Sequence, residues 1–467
     1  MRNKKQSITL ALASTMLLSS FASCGMQEVS FKEYEDYDAF RFYAYMTPPP
    51  ANVGGGTLMD NPDYMTEQQY DWVKECGFNY GVAIYETTYD QSLKVLKEFE
   101  ERDMKFFLKD ANITNLINGY IDNNMESAKE TTYKAAFEKN LQEYLKYDSF
   151  AGIYAADEPK TQKMAGIGKA SEYFYSLEGT ENREWWVNLL GSGYGANGSD
   201  SYVEHVNTAA QTTGAGRLSF DEYPLYVGKI RSSFFSNLAH MAAVGKVHNQ
   251  VFDTFILTMG HWDYRTTNNY DDLAWQIYSS MAFGTRGIET FTYWTTMGTG
   301  EGITHGLIDH YGNRTQTWYS MQEVISEVNS FQHMYMNAEW QGVMTYTADE
   351  DYSNDLLNLI PSSISVGETE VPVKMKSHER IASVKSDNDL LIGAFKDIDN
   401  RDAFMVVNVA DPDYDDSATV TLTFNDCDYV VIYKKGEKVV AKAEKGVVKL
   451  NMGSSEGYYV MPMKLAE

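Results

Sequence analysis

The chain has 467 residues, 43% of them hydrophobic, and a formal net charge of −26. That length is too great for one ordinary core and that hydrophobicity too high for disorder, so two folded domains are expected. A surface this acidic repels phosphate backbones and anionic headgroups, which argues against nucleic-acid partners and leaves neutral ligands open.

Taken in chain order, Arg2, Lys4 and Lys5 precede an apolar run from Ile8 to Phe21, the pattern of an export leader. The next residues, Phe21-Ala22-Ser23-Cys24-Gly25, resemble a bacterial lipoprotein signal with Cys24 as the lipidated residue. Phe21 stands where Leu is usual, so an ordinary secretory signal is the alternative. Residues 1–24 are therefore read as a leader and 25–39 as an acidic tether to an exported protein. The lipid on Cys24 is its expected membrane attachment, since no later run of about 20 apolar residues follows.

From residue 40, strands alternate with helices. Predicted strands are Phe40–Met46, Tyr80–Glu86, Lys105–Lys109, the run from Gly152, Trp185–Leu190, Leu218–Phe220, Thr254–Met259 and Gly287–Trp294. Predicted helices are Met65–Cys76 with Thr66 as N-cap, Gln91–Arg102, Ala128–Tyr147, one within Ala165–Leu177, Tyr202–Thr212, Ser232–Gly245, Asp271–Phe283, and Thr317 to about Met336. Eight strand-then-helix units predict an α/β fold, a (β/α)8 barrel over residues 40–340. An open doubly wound sheet competes, but no glycine-rich phosphate fingerprint follows the first strand. The Gly54–Gly56 cluster sits deep in a loop and reads as flexibility. From about Gly342, short runs of period two separated by turn residues predict an antiparallel β-sandwich over 341–467, packed against the barrel. Cys76 and Cys427 fall in different domains, so no disulfide framework is expected. No Cys/His spacing suggests a metal, and no cofactor is expected.

The stretch Gly152-Ile153-Tyr154-Ala155-Ala156-Asp157-Glu158-Pro159 is an apolar run too short for a helix. It ends in two acids and a proline that cannot extend a ladder. In a parallel barrel that is the end where active sites are built; the plainer reading is an acid capping the next helix. Other strand ends offer Asp110, Asp221 and Glu222, and Glu289 lies within strand eight. Glycosidic cleavage needs a protonated carboxyl group and a second one acting as nucleophile or base, and a crowded dry pit raises the donor's pKa. Along strand eight, Glu289 is opposite in parity to Trp294 and is expected to face the helices. Asp221 is preferred to Glu222 because Tyr223 shares its side. Tyr154 shares parity with Glu158 but sits deeper, as core. Bulges would overturn such parity counts. His261 and Trp262, ending strand seven, are candidates to bond and stack on a sugar. Asp110 either bonds a hydroxyl or caps the loop that follows it.

Glu158 ending strand four resembles the acid/base of the large retaining-glycosidase clan that includes the β-galactosidases, although Asp157 stands where the clan has Asn. Phe220-Asp221-Glu222-Tyr223-Pro224 and Gly287-Ile288-Glu289-Thr290-Phe291-Thr292-Tyr293-Trp294 look like segments of β-galactosidase-like barrel proteins of gut bacteria. Trp294 is similar to the strand-eight aromatic that floors the clan's sugar site. The resemblance implies a glycoside hydrolase acting on an oligosaccharide or polysaccharide, with Glu158 as general acid. One departure stands out: the clan's nucleophile is a Glu ending strand seven, and here that strand ends Thr258-Met259-Gly260-His261-Trp262. Three readings follow. Asp221 is the second carboxylate across a wide gap, which favours inversion. Alternatively, Asp157-Glu158 resembles the acid pair of substrate-assisted N-acetylhexosaminidases. Finally, the protein is a cell-surface carbohydrate-binding protein on a barrel that has lost hydrolysis.

Overall fold

The computed structural model describes residues 31–52, 61–86, 88–194, 197–267, 269–295, 306–348 and 355–465. The leader with Cys24, part of the tether and the Gly54–Gly56 cluster lie outside them. Eight parallel strands close into a barrel: β1 Arg41–Tyr45, β2 Tyr80–Val82, β3 Lys105–Leu108, β4 Phe150–Asp157, β5 Glu184–Leu190, β6 Leu218–Asp221, β7 Phe252–Leu257 and β8 Gly287–Phe291. Around them run α1 Glu67–Cys76, α2 Tyr89–Glu100, α3 Ala111–Ile121, α4 Ser127–Tyr144, α5 Met164–Tyr175, α6 Tyr202–Thr212, α7 Phe234–His248, α8 Tyr270–Ala282 and α9 Gln316–Tyr335.

The helix starts follow from side chains that satisfy otherwise orphaned amides. Thr66 accepts from the Gln69 amide, as expected, and Thr88 with Gln91 forms a capping box. Helix α3 was not expected; Asp110 opens it by accepting from the amides of Asn112 and Ile113. Strand β2 stops at Val82, short of its predicted end, because the amides of Ile84 and Tyr85 turn to the Glu86 carboxylate at 3.3 and 3.2 Å.

Tyr43, Tyr45, Val82, Phe107, Tyr154, Trp186, Phe255 and Leu257 fill the barrel. Trp186 stacks between Tyr43 and Phe255, with centroids 6.0 and 6.1 Å away. Burying each such side chain is worth about 1.5–3 kcal/mol. Gly152, at φ 148°, lets β4 run against β5; a Cβ there would strike the carbonyl oxygen of Glu184. Further along, the β4–β5 register slips between Tyr154 and Ala156. This bulge reverses the parity count: Tyr154 and Asp157 now face the interior together. At the lower, N-terminal end, Asp253 accepts from Tyr43 Oη at 2.9 Å and pairs with Arg217, while Arg41 pairs with Glu184 at 2.7 Å.

The C-terminal region holds a six-stranded antiparallel sheet, a three-stranded one and a small hairpin. Its first strand, Ala338–Tyr346, follows α9 directly. Ile392, Phe404, Val406, Ile432 and Val460 of the larger sheet pack on Val420, Leu422, Leu450 and Met452 of the smaller, making a sandwich core. The larger sheet's other face lies on the barrel: Phe331 of α9 stacks on Tyr459 at 5.5 Å, and Tyr335 meets Phe395 at 5.2 Å. Arg265, in the loop after β7, binds Asp272 at 2.8 Å and Asp411 of the sandwich at 3.1 Å. Cys76 and Cys427 are buried and unbridged.

Candidate active site

At the upper, C-terminal rim, β4, β5 and β6 deliver three adjoining side chains. Asn188 of β5 donates from Nδ2 to Asp157 Oδ1 at 3.1 Å and to Asp221 Oδ1 at 2.9 Å. Its own Oδ1 accepts from Ser219 at 2.9 Å, which fixes the amide's orientation. Asp157 also accepts from Tyr45 Oη at 3.4 Å. Glu158 follows in a left-handed backbone conformation, φ 46°, with its amide bonded to the Asn188 carbonyl at 2.9 Å. That turn swings its carboxyl over the rim into hydrogen-bonding contact with Asp221. A non-glycine residue in that conformation costs about 1–3 kcal/mol.

The electrostatics follow from burial and like charge. Asp221 is buried, and desolvation with Glu158 and Asp157 nearby holds its carboxyl well above the usual range. Glu158 is pushed up by burial and by Asp157. Two carboxyl groups in hydrogen-bonding contact hold one proton between them.

The wide gap expected between Glu158 and Asp221 is therefore not found; their contact leaves no room for the water of an inverting pair. Asp157 and Asp221, bonded to one nitrogen, also cannot stand the roughly 6.5–9.5 Å apart that inversion needs. The parity expectation for Glu289 is overturned too. It points into the barrel, its Oε2 3.2 Å from the Ser219 hydroxyl oxygen, and burial beside Asp253 raises its pKa. The count had run through Trp294, but β8 ends at Phe291. Glu222 does turn away from Asp221, toward Ser233 and Arg231.

Beyond the acids, Tyr223 stacks on Phe291 at 5.3 Å and His261 lies 4.8 Å from Tyr264, forming an aromatic wall on the β6–β8 side. Burial lowers the His261 pKa to about 4, so its ring is neutral. Trp262 stands out from this wall, 66% exposed. Trp294 is buried against Tyr64 at 4.7 Å, so it supports the rim instead of presenting a sugar face. Asp110 is likewise spent on structure: besides capping α3, it accepts from Asn140 at 2.8 Å and Tyr144 at 2.9 Å. The end of β7 carries no carboxylate, and the one acid of that strand, Asp253, lies at the lower end. Tyr45, Asn188 and Ser219 are site residues that sequence reasoning missed. Among the described residues no group of His, Cys, Asp and Glu is arranged to hold a metal ion.

A cleft of about 470 Å³ opens beside the acids, lined by Tyr154, Asp157 and Glu158, by the α3 residues Thr114, Ile117 and Asn118, and by lysines that follow β3 and β4.

No family model matches the sequence, and no curated protein matches it. In structure its neighbours are glycoside hydrolases. A family 39 glycoside hydrolase from the gut symbiont Bacteroides cellulosilyticus WH2 is 11% identical, with a TM-score of 0.51 over 91% of this chain and 81% of that one. An Anoxybacillus α-amylase is 10% identical, with a TM-score of 0.49 over 91% and 98%. A cold-adapted β-galactosidase from Rahnella sp. R3 is 11% identical, with a TM-score of 0.47 over 68% and 60%. At these identities the likeness is one of fold.

Proposed function

We propose that the protein is an exported, lipid-anchored glycoside hydrolase that cleaves an O-glycosidic bond of an oligosaccharide or polysaccharide. The observation that carries this reading is the meeting of three carboxyl groups at one rim: Asn188 ties Asp157 to the buried Asp221, and Glu158 lies against Asp221 at the edge of the cleft. Glu158 borders the open cleft and is the general acid that protonates the leaving oxygen. Asp221, buried beneath it, is the group against which that proton is stored. Asp157, oriented by Tyr45 and Asn188, faces the developing positive charge at the anomeric carbon. With no acid ending β7, an enzyme nucleophile is not at hand. A substrate acetamido group oriented by Asp157 then attacks, and Glu158 activates the water that opens the resulting ring. Tyr223, His261 and Trp262 supply the apolar wall for a sugar ring.

Screening the purified protein against aryl glycosides, with and without an N-acetyl group, tests this. Turnover of N-acetylated substrates alone is the expected result. Turnover of plain glycosides at equal rates removes the substrate-assisted step. The second reading, a carbohydrate-binding protein without turnover, is favoured by the missing β7 acid and is adopted if sugars bind and none is cleaved. For the anchor, Cys24→Ser is expected to abolish palmitate labelling and release the protein from the membrane fraction; unchanged labelling rejects Cys24.

A further inference from the structure

The cleft beside Glu158 is unlike the rest of this acidic molecule. Lysine and arginine together make up 39 of 467 residues, against 65 acids. Yet Lys109, Lys160 and Lys163 all line this one cleft. Lys109 directly follows β3 and holds its ammonium over the Tyr154 ring, 5.5 Å from the centroid, which turns it toward the barrel mouth. Lys160 and Lys163 come from the loop that Glu158 and Pro159 open, and both are exposed. No hydrogen bond or ion pair engages any of the three ammonium groups among the described residues. Some surface lysines pair, as Lys94 does with Asp63 at 2.9 Å and Lys146 with Glu143 at 2.6 Å; what sets these three apart is that they line one cleft together. Of the acids at the cleft, Glu158 shares a proton with Asp221, and Asp157 is satisfied by neutral donors. Three cations thus face about two negative charges. Positive charge gathered in one cleft of an acidic molecule raises the local potential there and complements an arriving anion.

We infer that this cleft is a subsite for an anionic sugar, its carboxylate or sulfate seated among Lys109, Lys160 and Lys163 next to the bond that Glu158 attacks. The inference rests on reading this face as a carbohydrate site. It adds that the molecule's overall charge repels the polymer while a local patch selects the acidic residue within it.

Glu158→Gln protein, which removes turnover from the measurement, is titrated calorimetrically with two sets of sugars. Glucuronic, galacturonic and mannuronic acids and glucose 6-sulfate are set against glucose, galactose and mannose. At least one acidic sugar is expected to bind about tenfold tighter than its neutral counterpart at low salt, and about threefold or less at 0.5 M salt. Tight uronates with weak sulfate assign a carboxylate site, and the reverse a sulfate site. Lys160→Gln/Lys163→Gln, both surface changes, should cut the preference at least about threefold; Lys109→Gln should do the same if it folds. Equal affinity for both sets, no binding by any, or a preference that survives loss of the lysines overturns the inference. Acidic-sugar binding combined with no wild-type turnover of any glycoside leaves the anion subsite standing and rejects hydrolysis.

Discussion

At the lower end of the barrel Asp253 meets Arg217 and Tyr43, and Glu184 meets Arg41. At the upper end the buried Asp221 and Glu86 meet only asparagine, threonine and backbone donors, or a neighbouring carboxyl group. A buried acid with its arginine is a closed structural unit, whereas a buried acid held by neutral donors keeps a proton that has somewhere to go. On the proposed reading, the same fold spends carboxyl groups on integrity at one mouth and on chemistry at the other, the division expected of a parallel barrel.

Breaking the upper set should hurt turnover most. Glu158→Gln is expected to lower kcat by about 10²–10⁴-fold with the melting temperature nearly unchanged; retained activity would reject its role. Breaking the lower set should do the reverse. Asp253→Ala strands Arg217 and Tyr43 and should cost about 3–5 kcal/mol in denaturant unfolding, with KM unaltered in the fraction that folds. A change of under 1 kcal/mol would mean the pairing carries little.

The comparison sharpens with pH. Burial pushes Glu86 up to about 7, against Thr47 and backbone donors that pull it down. A raised carboxyl pKa means the folded state binds the extra proton. Its stabilising share is thus full below about pH 4.5 and lost as pH rises through 7. Relative to Glu86→Gln, the native protein should lose roughly 3 kcal/mol across that window. Parallel curves would remove the shift. The smallest effect belongs to the exposed wall: Trp262→Ala should raise KM about threefold to tenfold and leave kcat alone.

Much of this was legible in the chain. Asp157-Glu158-Pro159 announces a strand tip, and the alternation of elements announces the barrel. Helix α3 escaped because Asn-Ile-Thr-Asn and Gly119 are poor helix formers, so only the Asp110 cap and tertiary packing make it helical. Asn188 and Ser219 escaped for another reason. Neutral polar residues inside a strand look like any others until closure of the barrel sets β4, β5 and β6 side by side. The parity counts failed where geometry departs from the ideal strand, at the β4 bulge and at the early end of β8.

Arg265 has a consequence for how the molecule behaves as a whole. It lies four residues beyond His261 and is tethered to Asp411 and Asp413 of the C-terminal sandwich. The wall that would greet a sugar is thus guyed to a second domain. Cutting away that domain, or loosening its 411–413 turn, should slacken the pocket's lip even though every acid stays in place.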